Sequence, residues 1–79
     1  LEGKRGKDYK TLLQEYVQRD GDKHIVYHLL SESGPDHAKT FHMEVEINGV
    51  TYEAGSGKSK KIAEQHAAQL TLEKLMADK

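Results

Sequence analysis

From Phe41 to Ile47 the chain alternates apolar and polar side chains, with Phe41, Met43, Val45 and Ile47 set against His42, Glu44 and Glu46. A period of two sends successive side chains to opposite faces of a strand, so this segment has one dry face and one wet face. It runs directly into Asn48-Gly49, the pair that best tolerates the two positive φ angles of a tight hairpin turn. Val50 to Ala54 must then return beside it as an antiparallel neighbour. Whatever the remaining residues do, they have to cover the apolar face of an antiparallel sheet.

Two segments are suited to that work. From Asp8 to Gln18, Tyr9, Leu12, Leu13, Tyr16 and Val17 recur at helical spacing while Thr11, Gln14, Glu15 and Gln18 lie opposite, which predicts an amphipathic helix ended by Arg19-Asp20-Gly21-Asp22. Lys60 to Met76 contains neither glycine nor proline, and Ala63, Ala67, Ala68, Thr71, Leu72 and Leu75 form a small-to-apolar stripe that permits close approach to the sheet. Between the first helix and the alternating strand, His24 to Ser31 is rich in β-formers. Its expected facing is Ile25, Tyr27 and Leu29 inward, with Val26, His28 and Leu30 outward. Ser33-Gly34-Pro35-Asp36-His37 then supplies strong turn chemistry. The predicted order is α-β-β-β-α, an α+β domain with two helices packed on one face of a three-stranded antiparallel sheet.

Seventy-nine residues suffice for one small core and leave no room for a second, catalytic domain. The absence of cysteine removes disulfides and thiolate metal sites. No apolar run reaches membrane-spanning length, so a membrane partner is not expected. The opening Leu1-Glu2-Gly3-Lys4-Arg5-Gly6-Lys7 is polar, basic and aperiodic, and reads as a linker (1–7) from an upstream domain. Twelve Lys+Arg against thirteen Asp+Glu give a net charge of −1, which excludes a globally basic nucleic-acid binder. Any electrostatic footprint has to be local.

One such locality exists. Gly55-Ser56-Gly57-Lys58-Ser59-Lys60-Lys61 reads as a glycine-rich turn that brings three lysines to the start of the second helix, with Ser59 placed to cap it. Helix-start N–H groups beside lysines form an attractive setting for phosphate. The phosphate is not that of a bound nucleotide: a P-loop requires a glycine where Tyr52 stands, and a dinucleotide fingerprint requires one at Lys60. The phosphates of a nucleic-acid backbone fit better, and no small-molecule substrate is expected.

Taken in order, Asp8-Tyr9-Lys10-Thr11-Leu12-Leu13-Gln14-Glu15-Tyr16, Gly34-Pro35-Asp36-His37, Phe41-His42-Met43-Glu44-Val45 and Gly55 to Glu64 with Ala67-Ala68 resemble a double-stranded RNA-binding domain. The resemblance is strongest to the C-terminal domain of bacterial ribonuclease III and covers residues 8–76, leaving 77–79 as a tail. It implies binding of duplex RNA through three regions. Thr11, Gln14 and Glu15 on the first helix would meet ribose 2′-hydroxyls, which both donate and accept. Pro35, Asp36 and His37 in the turn would enter a second minor groove. Lys58, Ser59, Lys60 and Lys61 would serve the phosphates between them, with Ser59 chiefly a cap. Glu64 stands where many relatives carry a further lysine, which points to a weaker phosphate hold.

The same resemblance implies a cytoplasmic parent that cleaves double-stranded RNA in RNA processing, including that of rRNA. The parent would be a homodimer joined through its nuclease domain, where the magnesium would also reside. The present chain would then be a monomeric, non-catalytic binding module without a cofactor. Its residues support that division. His24 and His28 share a strand face but lie four residues apart, about 13 Å at 3.3 Å of rise per residue, too far to chelate one metal. Ser59 has no placed base, so covalent catalysis finds no support. The alternative is a domain of the same class that binds only proteins; such a domain would be expected to lack the lysine cluster or the histidine turn, and this chain keeps both.

Overall fold

The computed structural model describes residues 8–78, apart from the side chain of Asp20; the 1–7 opening and Lys79 lie outside the described residues. Helix α1 (Tyr9–Val17) leads through a short 3-10 turn, Gln18–Asp20, to β1 (Ile25–Ser33). A second 3-10 turn, Asp36–Ala38, precedes β2 (Thr40–Ile47), β3 (Val50–Gly57) and helix α2 (Lys60–Ala77). The sheet has the order β1-β2-β3 and is antiparallel throughout. Asn48 and Gly49 take φ of +49° and +84°, as the hairpin demands. Asn48 also pins the start of β1, because its Oδ1 accepts from His24 N–H at 2.7 Å.

Both helices cover one face. Leu13 and Val17 of α1, Val45 and Ile47 of β2, and Ala67 and Ala68 of α2 form the buried centre, flanked by Tyr9, Tyr16, Ile25, Tyr27, Tyr52, Leu72 and Leu75. Alanine on α2 is what the packing needs, since a larger side chain at Ala63, Ala67 or Ala68, each fully buried, would push the helix off the sheet. β2 buries Met43, Val45 and Ile47 and leaves His42, Glu44 and Glu46 partly exposed, as its alternation requires. Phe41, at the strand's open end, is only partly covered.

Three expectations are corrected. β1 begins at Ile25 and continues to Ser33, and Leu29, although it pairs with the buried Met43 and so lies on the core-side face, is not covered: it is 42% exposed, beside Leu30 at 51%. The β1–β2 register shifts between Leu29 and Ser31, and α2 packs on β3 and β2, so this end of the outer strand extends beyond helical cover. Gly55 and Gly57 belong to β3 and not to a turn. Neither has a positive φ. A Cβ on Gly55 would strike the backbone of α2 at His66 and Ala67, and one on Gly57 would strike Ile62 and the Ala63 backbone. The two glycines therefore let the helix lie directly on the strand. Finally, α2 extends one residue past Met76, to Ala77.

A bulge in β3 has its own support. Between the pairs Glu44–Ala54 and Glu46–Thr51, Val45 stands against both Tyr52 and Glu53. Such an irregularity strands a backbone donor. The Glu53 N–H is satisfied by Oγ1 of Thr71, 3.2 Å away, from a fully buried side chain on α2. Thr71→Val keeps the shape and removes the acceptor, and is expected to cost about 1–3 kcal/mol. In a domain of this size that lowers the melting midpoint by roughly 4 °C or more, measurable by circular dichroism. An unchanged midpoint would show that the hydroxyl contributes nothing to holding the bulge.

Candidate nucleic-acid interface

α1 starts at Asp8, whose extended backbone and carboxylate make it the N-cap: Oδ1 accepts from Thr11 N–H at 3.3 Å and Oδ2 from Thr11 Oγ1 at 2.9 Å. One turn of helix then places Thr11, Gln14 and Glu15 in solvent. Because the Thr11 hydroxyl donates its proton to Asp8, it presents lone pairs outward. Leu12, expected on the buried face, is 37% exposed. It lines a shallow depression with Asp8, Thr11 and Glu15, so an apolar contact stands among the polar ones. Leu12 lies at the border of the helical stripe, where periodicity alone does not decide facing. A concavity of about 560 Å³ between α1 and α2 is lined by Glu15 together with Tyr9, Tyr16, Leu72 and Met76. It contains none of the three lysines.

The loop between β1 and β2 is a compact knob. Gly34 turns the chain at φ +90°, where a Cβ would lie 2.6 Å from the Ala38 carbonyl oxygen, and Pro35 continues in extended backbone at φ −71°. Ala38 N–H then donates to the Pro35 carbonyl at 2.9 Å. Pro35, Asp36 and His37 are all exposed. Lys39 holds the base of the knob, donating to Glu32 at 3.1 Å, with Asp36 at 3.9 Å.

Register brings this knob to the lysines. Phe41, just after the loop, pairs with Gly57, the residue before Lys58. Asp36, His37, Lys39 and Lys58 consequently line one cleft of about 330 Å³. Lys58 thus belongs with the loop, while Lys60 and Lys61 begin α2. Ser59 caps that helix, its Oγ accepting from Ile62 N–H at 3.1 Å. Lys58, Lys60 and Lys61 are exposed, and none of them forms an ion pair among the described residues.

Glu64 is different. Its carboxylate accepts from Lys10 Nζ of α1 at 2.6 Å, and that ammonium also sits 4.9 Å above the ring of Tyr27. The acid that stands in place of a lysine is therefore neutralised from the neighbouring helix, which a one-dimensional reading could not show. Next to it Gln65 bonds to both Asp8 and the Tyr9 backbone, at 2.8 and 2.7 Å. The Gln65 bond first, and then those of Thr11, hold the Asp8 carboxyl below the usual carboxylate range. Burial, followed by the charges of Glu64 and Asp8, pushes the Tyr27 hydroxyl up to about 12. On the far side of the sheet, His28 and Glu46 pair at 2.6 Å. Among the described residues no group of three or more His, Cys, Asp or Glu could hold a metal ion, and no helix is long and apolar enough to cross a membrane.

These groups and their order agree with a known family. The family model of the double-stranded RNA binding motif matches residues 9–75. The chain belongs to that family. Ribonuclease 3 of Streptococcus mutans is 57% identical over 68 residues, which are 86% of this chain and 29% of that protein. Ribonuclease 3 of Streptococcus pyogenes serotype M3 is 52% identical over 71 residues, 90% of this chain and 31% of that protein. The domain thus spans less than a third of the length of these curated relatives. Among solved structures, DRB4 dsRBD2 is 37% identical and superposes with a TM-score of 0.60, covering 86% of this chain and 94% of that one.

Proposed function

We propose that this domain grips A-form duplex RNA by shape and backbone, and that in a ribonuclease 3-like parent it presents the duplex to a nuclease domain elsewhere in the chain. Thr11, Gln14 and Glu15 contact 2′-hydroxyls in one minor groove. Pro35, Asp36 and His37 enter the next, and Lys58, Lys60 and Lys61 serve the phosphates of the major groove between them. Contacts of this kind span about 16 base pairs and are largely independent of sequence. Cleavage, its magnesium, dimerisation and a role in cytoplasmic RNA processing all belong to the parent, and the domain itself is a non-catalytic monomer.

The observation that supports this reading most is the Phe41–Gly57 register, which sets the exposed loop beside Lys58 while Lys60 and Lys61 stand solvent-facing at a capped helix start. The test is a titration with duplex RNA and duplex DNA of one sequence at matched salt. Clear preference for RNA is expected, because DNA lacks both the hydroxyls and the A-form groove spacing. Equal affinities would leave only a basic patch and overturn the reading.

A further inference from the structure

Gln65 ties together two helix starts that are far apart in sequence. Its Oε1 accepts from Tyr9 N–H, one of the four donors that the first turn of α1 cannot satisfy internally, and its Nε2 donates to Asp8, the N-cap of the same helix. Both bonds use one amide, so its orientation is determined: oxygen toward Tyr9, nitrogen toward Asp8. Beside it, Glu64 takes Lys10 at 2.6 Å. Two consecutive residues of α2 therefore hold the N-cap and the first two residues of α1.

The helical repeat extends this clamp outward on both sides. Residues four apart on a helix share a face, so Lys61 stands one turn, about 6 Å, before Gln65 on the same side of α2. On α1, Asp8 is bonded through both carboxylate oxygens to Thr11. Thr11 and Lys61 are thus each one turn from the same pair of hydrogen bonds. Resting on the duplex-RNA reading above, we propose that Gln65 is a positioning residue, which sets the spacing between the hydroxyl-facing side of α1 and the phosphate-facing turn of α2 without itself touching RNA.

This spacing matters because A-form and B-form duplexes differ in the distance from a minor groove to the phosphates across the major groove. A clamp that fixes it contributes discrimination. Loosening it should reduce preference for RNA while leaving the number of phosphate contacts, and with it the salt slope, unchanged.

The polarity of the amide supplies the test. Gln65→Met keeps the length and removes both bonds, whereas Gln65→Glu keeps the acceptor for Tyr9 N–H and sets a second carboxylate against Asp8. Asp8→Asn keeps the whole set: its remaining oxygen can accept from Gln65 and from Thr11 N–H, and its amide can donate to the Thr11 hydroxyl. Combined with Gln65→Glu, it relieves the opposed charges, restores the parental net charge and, with its amide turned so that the nitrogen faces α2, donates to the new carboxylate while its oxygen accepts from the Thr11 hydroxyl. Glu73→Gln combined with Gln65→Glu restores that net charge from an exposed position two turns along α2, without reaching the clamp.

In the full 79-residue chain, Gln65→Met and Gln65→Glu are each expected to bind duplex RNA roughly tenfold more weakly, the scale of coupling between directly bonded side chains. For Gln65→Met the preference for RNA over DNA should shrink with an unchanged salt slope. Asp8→Asn should rescue Gln65→Glu, and Glu73→Gln should not. Melting curves supply the folded fraction by which affinities are corrected, and Gln65→Met decides alone should the charged variant fail to fold. The inference is overturned if folded Gln65→Met binds like the parent or lowers the slope, or if Glu73→Gln rescues as well as Asp8→Asn, as a simple charge effect would require. A parental chain that binds RNA and DNA equally would instead overturn the duplex-RNA reading itself.

Discussion

Lys60→Ala combined with Lys61→Ala is expected to weaken duplex-RNA binding about a hundredfold at 0.1 M salt and to flatten the plot of log affinity against log salt by about two units. Each phosphate contact releases about one counterion, so each is worth about one decade between 0.1 M and 1 M salt. Both lysines are exposed and without an ion-pair partner among the described residues, so the folded core keeps its contacts and the melting midpoint is expected to stay near that of the parent. Gln14→Ala serves as the contrast. It removes a neutral contact from the exposed side of α1, so affinity and preference for RNA over DNA should fall while the slope stays constant. Fluorescence anisotropy across a salt series measures all of these. A double-lysine variant with the parental slope would mean that α2 does not serve phosphates.

Gly55→Ala should be the most damaging single-methyl change in the chain. The added Cβ meets backbone atoms of His66 and Ala67, which no rotamer change can move away, and Ser56 N–H is held at 3.1 Å by Nδ1 of His66 at the same place. α2 would have to separate from β3 over its buried alanines. The cost is expected to be about 3 kcal/mol or more, at the upper end for overpacking. A domain of this length holds only about 4–12 kcal/mol in total, so a large loss of cooperative melting should follow. The control is Gly49→Asn: Gly49 has φ +84° with nothing within 4 Å of an added Cβ, and asparagine tolerates that region, so little should change. If Gly55→Ala melts like the parent, α2 does not rest on β3 at this glycine.

The candidate interface was legible to unequal degrees. Thr11, Gln14 and Glu15 followed from helical period, and the Ser59 cap from its place before a helix without breakers. Those features depend on neighbours within a few residues. The lysine cluster is visible as a run of charge, but its glycines read as a turn and lie in β3, because a glycine needed for close packing and one needed for a turn look alike in one dimension. Helical and strand periods place Leu12 and Leu29 toward the core for a related reason. Periodicity predicts a face, whereas burial depends on how far the covering element extends.

By itself the sequence determined the order of elements, the hairpin at Asn48-Gly49, the dry and wet faces of β2 and the capped start of α2, since each is decided by backbone sterics and side-chain period over a handful of residues. Only the tertiary structure decided what stands beside what. It joined Lys58 to the β1–β2 loop through strand register, neutralised Glu64 with Lys10 across 54 residues, and put Gln65 on the cap of a helix 57 residues away. Such pairings arise when two helices settle on one sheet at a spacing set by glycine and alanine, and no local pattern encodes the partner because either residue alone would be an ordinary solvated side chain.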